Sequence, residues 1–190
     1  MKKYRFITFF ILILILNPAV PVAQTVDYST ANRLLQQQKY EEAKMMFRQL
    51  HEDNPGVFIF YDRYIEALVS TKDFEKAIEV SQDQLTNNRS VVQTKIRMGE
   101  IYHTMGEREK ALDIWDEVVS ENKNSIQTYY NVGSSMMSRR EYEASVDLYR
   151  KARELAGNNS LFTNELASSL MQSGNYQEAM SEYFKLVTNS

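Results

Sequence analysis

The chain has no cysteine, three prolines and six glycines among 190 residues. The first absence excludes a disulfide framework, thiolate catalysis and a Cys-based zinc site, and without a cysteine after the apolar leader there is no lipoprotein anchor. Pro18 and Pro21 lie near the N-terminus, which leaves Pro55 alone in the body. So few turn formers favour long helices over a turn-rich sheet. Histidine is also scarce: His51 and His103 fall in different parts of the chain. No nucleophile–His–carboxylate spacing, HExxH motif or phosphate loop accompanies them. Both read as structural side chains, solvated or partly buried, and neither catalytic residues, metal ligands nor a cofactor are expected.

What is present begins with a basic leader, Met1-Lys2-Lys3-Tyr4-Arg5, followed by an apolar run from Phe6 to Leu16 that only Thr8 interrupts. Small residues and prolines close it between Asn17 and Ala23. This is the layout of a secretory signal peptide over residues 1–23, cut between Ala23 and Gln24. The apolar run is about half the ~20 residues a membrane span needs, so an uncleaved inner-membrane anchor over residues 6–16 is the lesser alternative. The short Lys-Lys leader points to export into a bacterial periplasm or cell envelope. Removal of Lys2, Lys3 and Arg5 would take the formal charge from −3 to −6. A phosphate backbone would be repelled, so no nucleic-acid partner is expected.

The full chain is 43% hydrophobic and 25% charged, enough for a packed core, and the part beyond the leader is repetitive. Laid against itself, it shows one register. Gln38-Lys39-Tyr40-Glu41-Glu42-Ala43 recurs as Lys72-Asp73-Phe74-Glu75-Lys76-Ala77, then Gly106-Glu107-Arg108-Glu109-Lys110-Ala111, Arg140-Glu141-Tyr142-Glu143-Ala144-Ser145 and Gly174-Asn175-Tyr176-Gln177-Glu178-Ala179. Each step is 34 residues without insertion or deletion. Other columns keep the period: Phe47, Ser81, Trp115, Tyr149 and Tyr183; Ala31, Ile65, Gly99, Gly133 and Ala167; Leu34, Leu68, Tyr102, Met136 and Leu170. Small columns let paired helices approach, and the aromatic column fills the space between units.

These residues resemble the tetratricopeptide repeat family, whose pattern places Leu-Gly and Tyr on a first helix, Gly-Asp-Tyr at the turn, and Ala, an aromatic, Ala and Pro on a second. The nearest copy runs Met98-Gly99, Tyr102, Gly106-Glu107, Ala111, Trp115 and Val118. The resemblance implies an all-α fold, a right-handed α-solenoid of about five stacked helix-turn-helix units over 24–57, 58–91, 92–125, 126–159 and 160–190. Arg108 in place of the turn aromatic, Ser81 in place of the packing aromatic and the bulky Ile65 at a close-approach position mark expected irregularities. Gly157, followed by Asn158-Asn159, is expected to stop a helix in the left-handed region. No capping helix follows the last copy, where Phe184, Leu186 and Val187 are apolar. The expectation is that the chain continues, that this end docks on a second copy or a partner, or that its last helix frays.

By the family's geometry the concave face is lined by Tyr28 and Asn32; Asp62, Glu66 and Val69; Ile96, Glu100 and His103; Tyr130, Ser134 and Met137; and Asn164, Ser168 and Met171. Within each set the spacing of three and four residues puts the side chains on one helix face. Asp62, Glu66 and Glu100 concentrate acid in the second and third units, and the face lacks the Lys and Arg with which family members clamp a C-terminal carboxylate. The resemblance therefore implies a scaffold holding a protein or peptide partner with basic and apolar anchors. The alternatives are a structural arm that self-associates through its C-terminal end, or a segment preceding a further domain. Ser138-Arg139-Arg140-Glu141 is the one basic cluster in the body and reads as solvated. Asn88-Arg89-Ser90 and Asn158-Asn159-Ser160 match glycosylation acceptors, a pattern frequent by chance.

Overall fold

The computed structural model describes residues 26–188, with side chains through Lys185. The expected signal peptide or anchor lies outside the described residues, as do Gln24 and the side chains of Leu186 and Val187. Among the described residues there are ten helices and no strand: α1 (Tyr28–Gln36), α2 (Tyr40–Asp53), α3 (Phe58–Ser70), α4 (Phe74–Thr86), α5 (Val91–Thr104), α6 (Arg108–Glu121), α7 (Ile126–Ser138), α8 (Tyr142–Ala156), α9 (Thr163–Gln172) and α10 (Tyr176–Thr188). They form five stacked helix pairs, each packed on the next. No described helix is long and apolar enough to cross a membrane.

Every second helix begins on the residue that anchors the repeat: 40, 74, 108, 142 and 176. The turn before it explains why. Gln38, Lys72, Gly106, Arg140 and Gly174 all have positive φ, so one left-handed residue ends each first helix. Around it the amide of Lys39 donates to the Leu34 carbonyl and that of Gln38 to the Leu35 carbonyl, closing the orphan carbonyls of α1. The same pair of bonds recurs at Asp73 and Lys72. Gly157 is also left-handed, at φ 59°, and ends α8 as its sequence implies.

The core follows the columns. Ala31, Phe47, Ile65, Gly99, Trp115, Gly133, Tyr149 and Ala167 are all buried. A Cβ built on Gly133 would stand 2.3 Å from the Tyr149 ring, so the absent side chain makes room for the aromatic one. In the second unit the volumes are exchanged: Ile65 is large and Ser81 small, both fully buried. The missing aromatic is supplied from α3, where Tyr61 is fully buried and its hydroxyl lies 2.8 Å from Ser81 Oγ. Ser81 in turn donates to the Ala77 carbonyl, which leaves the tyrosine as donor.

Arg108, the third unit's departure, forms a two-pronged pair with Glu141 of the fourth unit at 2.8 and 2.7 Å. His103 Nε2 lies 2.9 Å from the same carboxylate, and its ring stacks on Trp115. Burial works against the Glu141 charge, but Arg108 and His103 outweigh it and hold the carboxyl below its ordinary value. Between the fourth and fifth units, buried Arg153 binds Glu182, Thr163 and the Leu161 carbonyl. His51, expected to be solvated or partly buried, is buried against Tyr61 and Tyr64.

Candidate functional site

Successive first helices touch one another, α3 with α5 and α5 with α7, whereas successive second helices make no comparable contact. A stack compressed on one side curves toward it, so the first helices form the concave wall of the middle units. Two hollows open there. One, of about 410 Å³, is walled by Asp62, Arg63, Glu66, Val69, Arg97, Glu100, Ile101 and Arg139. Its neighbour, of about 280 Å³, shares Asp62, Arg97 and Glu100 and adds Phe58, Ile96 and Asn131.

The larger hollow is built on charge pairs that cross the units. Arg97 binds Glu100 on its own helix at 2.5 Å, and its Nε lies 3.3 Å from Asp62 on α3. Glu100 also accepts from Ser135 at 2.7 Å and from Arg139 at 3.3 Å, both in the fourth unit. Arg63 pairs with Glu66 three residues on. The carboxyls of Asp62 and Glu100 shift in opposite directions. Burial raises the Asp62 carboxyl despite Arg97. At Glu100 burial also pushes upward, but Arg97, Ser135 and Arg139 together prevail and hold the carboxyl below its ordinary value.

The expectation of a partly acidic and aromatic groove that lacks Lys and Arg is corrected in its charge by this arrangement. Asp62, Glu66 and Glu100 each face an arginine, and Arg63, Arg97 and Arg139 balance them charge for charge. Arg139, read as a solvated turn residue, reaches into the wall, while Arg140 beside it remains exposed. Among the described residues no group of three or more His, Cys, Asp or Glu side chains could hold a metal ion.

A tetratricopeptide repeat family model matches residues 130–189. The described residues fold as an α-solenoid of stacked helix pairs, like that of tetratricopeptide repeat proteins. Similar solved structures include the nearly identical TPR-like repeats of a putative kinesin light chain from Podosopora anserina, 15% identical over 84% of this chain and 91% of that one, with a TM-score of 0.56. A tetratricopeptide repeat protein from Parabacteroides merdae is 16% identical over 92% of this chain and 68% of that one, with a TM-score of 0.54. No curated protein matches the chain in sequence. At such identities the likeness is one of fold alone.

Within the solenoid the expected groove residues divide. Asp62, Glu66, Val69, Ile96 and Glu100 come together in the two central hollows. Ser134, Met137, Asn164 and Ser168 line a separate one of about 240 Å³ between α7 and α9, with Tyr149 at its back. Tyr130 is exposed and tilts over Phe162, and Met171 packs partly against the last core cluster. Tyr28 is drawn into packing between Phe47 and Phe60, and Asn32 is half-buried outside these hollows. His103 leaves the groove for Glu141 and Trp115. The arginines were the residues missed. Arg63 and Arg97 stand 34 apart, a repeat column one residue beyond the concave positions, and that periodicity was their signal.

Proposed function

We propose that this chain is an exported scaffold that holds a segment of a protein partner along the concave face of its second, third and fourth units. The carrying observation is the hollow of about 410 Å³ in which three arginines alternate with three carboxylates beside Val69 and Ile101. Tetratricopeptide solenoids offer preformed concave surfaces for proteins and are a typical non-enzymatic scaffold, which favours recognition over catalysis. The balanced wall revises the partner's chemistry. Glu66 still offers a place for a lysine or arginine, but Arg63 and Arg139 offer the same to a carboxylate, so the segment that fits carries both signs around a small apolar anchor.

The test exchanges charges at the rim, where Arg63 and Glu66 are one-third and two-fifths exposed, and leaves the less exposed Arg97–Glu100 pair intact. The double variant Arg63→Glu with Glu66→Arg keeps the pair and reverses its order. Capture from the envelope fraction followed by titration with the purified partner should show binding to the parent and at least tenfold loss in the variant. A partner that binds both equally would remove the concave face from the interaction. Export is tested on the same preparation by N-terminal sequencing: a chain beginning at Gln24 in the periplasmic fraction is expected, an intact leader in the membrane fraction would favour the anchor, and recovery in the cytosol would overturn export.

A further inference from the structure

Four columns of each second helix face the unit that follows. In the first unit they are Tyr40, Lys44, Phe47 and His51, and the contacts are direct: Lys44 pairs with Asp73, and His51 packs on Tyr61 and Tyr64. In α10 the described members of these columns are Tyr176, Met180 and Tyr183, which are 62%, 54% and 37% exposed. The adjacent column is polar and exposed in the four earlier units, as Arg48, Gln82, Asp116 and Arg150. In α10 it is Phe184, 61% exposed. The last helix therefore carries apolar side chains at i, i+4, i+7 and i+8, a broader stripe than stacking of one more repeat calls for.

The opposite end of the stack does not complement that stripe. At the positions where α3 receives its neighbour through Tyr61 and Tyr64, the first unit has Asp27 and Thr30, and where α3 has buried Ala67 it has exposed Arg33. Seating α10 there would bury a carboxylate and a guanidinium against aromatic and thioether groups, which excludes head-to-tail stacking of copies. The stripe does complement itself. Tyr176 and Phe184 stand four residues either side of Met180, so two antiparallel α10 helices related by a two-fold axis through Met180 set each Tyr176 against the other's Phe184. Aromatic residues and methionine are the types enriched at the core of such interfaces.

We propose that the chain forms a tail-to-tail dimer, α10 on α10, with Met180 at the two-fold axis. The two concave faces then remain open, and a dimer presents two copies of the groove at once.

Sedimentation of the full chain over a concentration series should give twice the single-chain mass. Phe184→Arg and Met180→Lys should each return it to one, with unchanged far-UV circular dichroism. Both place residues the same columns already hold, at Arg48 and Arg150 and at Lys44, so the repeat tolerates them. Because the chain has no cysteine, single cysteines report the geometry. Met180→Cys should cross-link to itself on mild oxidation, since facing helices on a two-fold approach to about 8–10 Å between axes, and Thr30→Cys should not. A single-chain mass at every concentration overturns the proposal. So does a dimer that survives Phe184→Arg, or one that cross-links through Thr30→Cys.

Discussion

Gly99 lies so close beneath Trp115 that a Cβ on it would stand 2.2 Å from the indole Nε1. The indole has nowhere to go: it is fully buried and donates to the Ile96 carbonyl at 3.1 Å. Gly99→Ala is predicted to destabilise the protein by ~1–3 kcal/mol, although alanine is by itself the better helix former by about 1 kcal/mol. Urea unfolding followed by the fluorescence of this single tryptophan measures it. An unchanged midpoint would mean that the ring can repack.

Ser81→Phe restores the aromatic that the other units carry in this column. It is nevertheless predicted to destabilise by ~1–3 kcal/mol, because the Tyr61 ring and Ile65 already fill that space. The midpoint of thermal unfolding should fall. A rise would show that the second unit is underpacked at Ser81.

Arg140 holds φ 64° where the third and fifth units have glycine, and its side chain is exposed. Arg140→Gly relieves a left-handed residue whose cost is about 1–2 kcal/mol and surrenders part of that gain to the unfolded chain's freedom. The net expectation is a stabilisation of ~0.5–1 kcal/mol in chemical denaturation. Any loss would indicate that the guanidinium contributes to the turn.

His51 gives a pH prediction. Burial, with Arg89 adding to it against Asp83 and Glu52, lowers its pKa below the ordinary 6.5. The unfolded chain therefore takes up the proton first as pH falls, so the folded state loses stability below about pH 6.5 until the folded pKa is passed. Above that pH the contribution is complete. His51→Leu, which copies Leu85 of the same column, should flatten the fall in stability between pH 7 and 5 relative to the parent. Parallel slopes for the two proteins would assign the pH dependence elsewhere.

The repeat was legible because its cause is local and periodic. A left-handed residue at 38, 72, 106, 140 and 174 and an anchor two residues later recur every 34 residues, and all five second helices start on the anchor. First helices are less regular: α9 starts only at Thr163, after a loop from Gly157 in which Phe162 is also left-handed. No column predicts that start, because the loop is tied in place by Arg153 reaching the Leu161 carbonyl and Thr163 from the preceding helix.

The candidate site was legible in part of its position and not in its charge. Spacing of three and four residues put Asp62 with Glu66, and Ile96 with Glu100, on shared helix faces, and the resemblance to tetratricopeptide repeats is what made those faces the concave ones. What the sequence by itself determined is therefore the helix pairs, their 34-residue register and which residues share a helix face. Only the tertiary structure decided that the groove is electrically balanced. Curvature brings the first helices of successive units together, so Arg97 reaches Asp62 and Arg139 reaches Glu100 across 35 and 39 residues of chain. Long flexible side chains meet according to how the units are stacked, and Coulomb attraction acts on the distances that stacking leaves, which no linear spacing records.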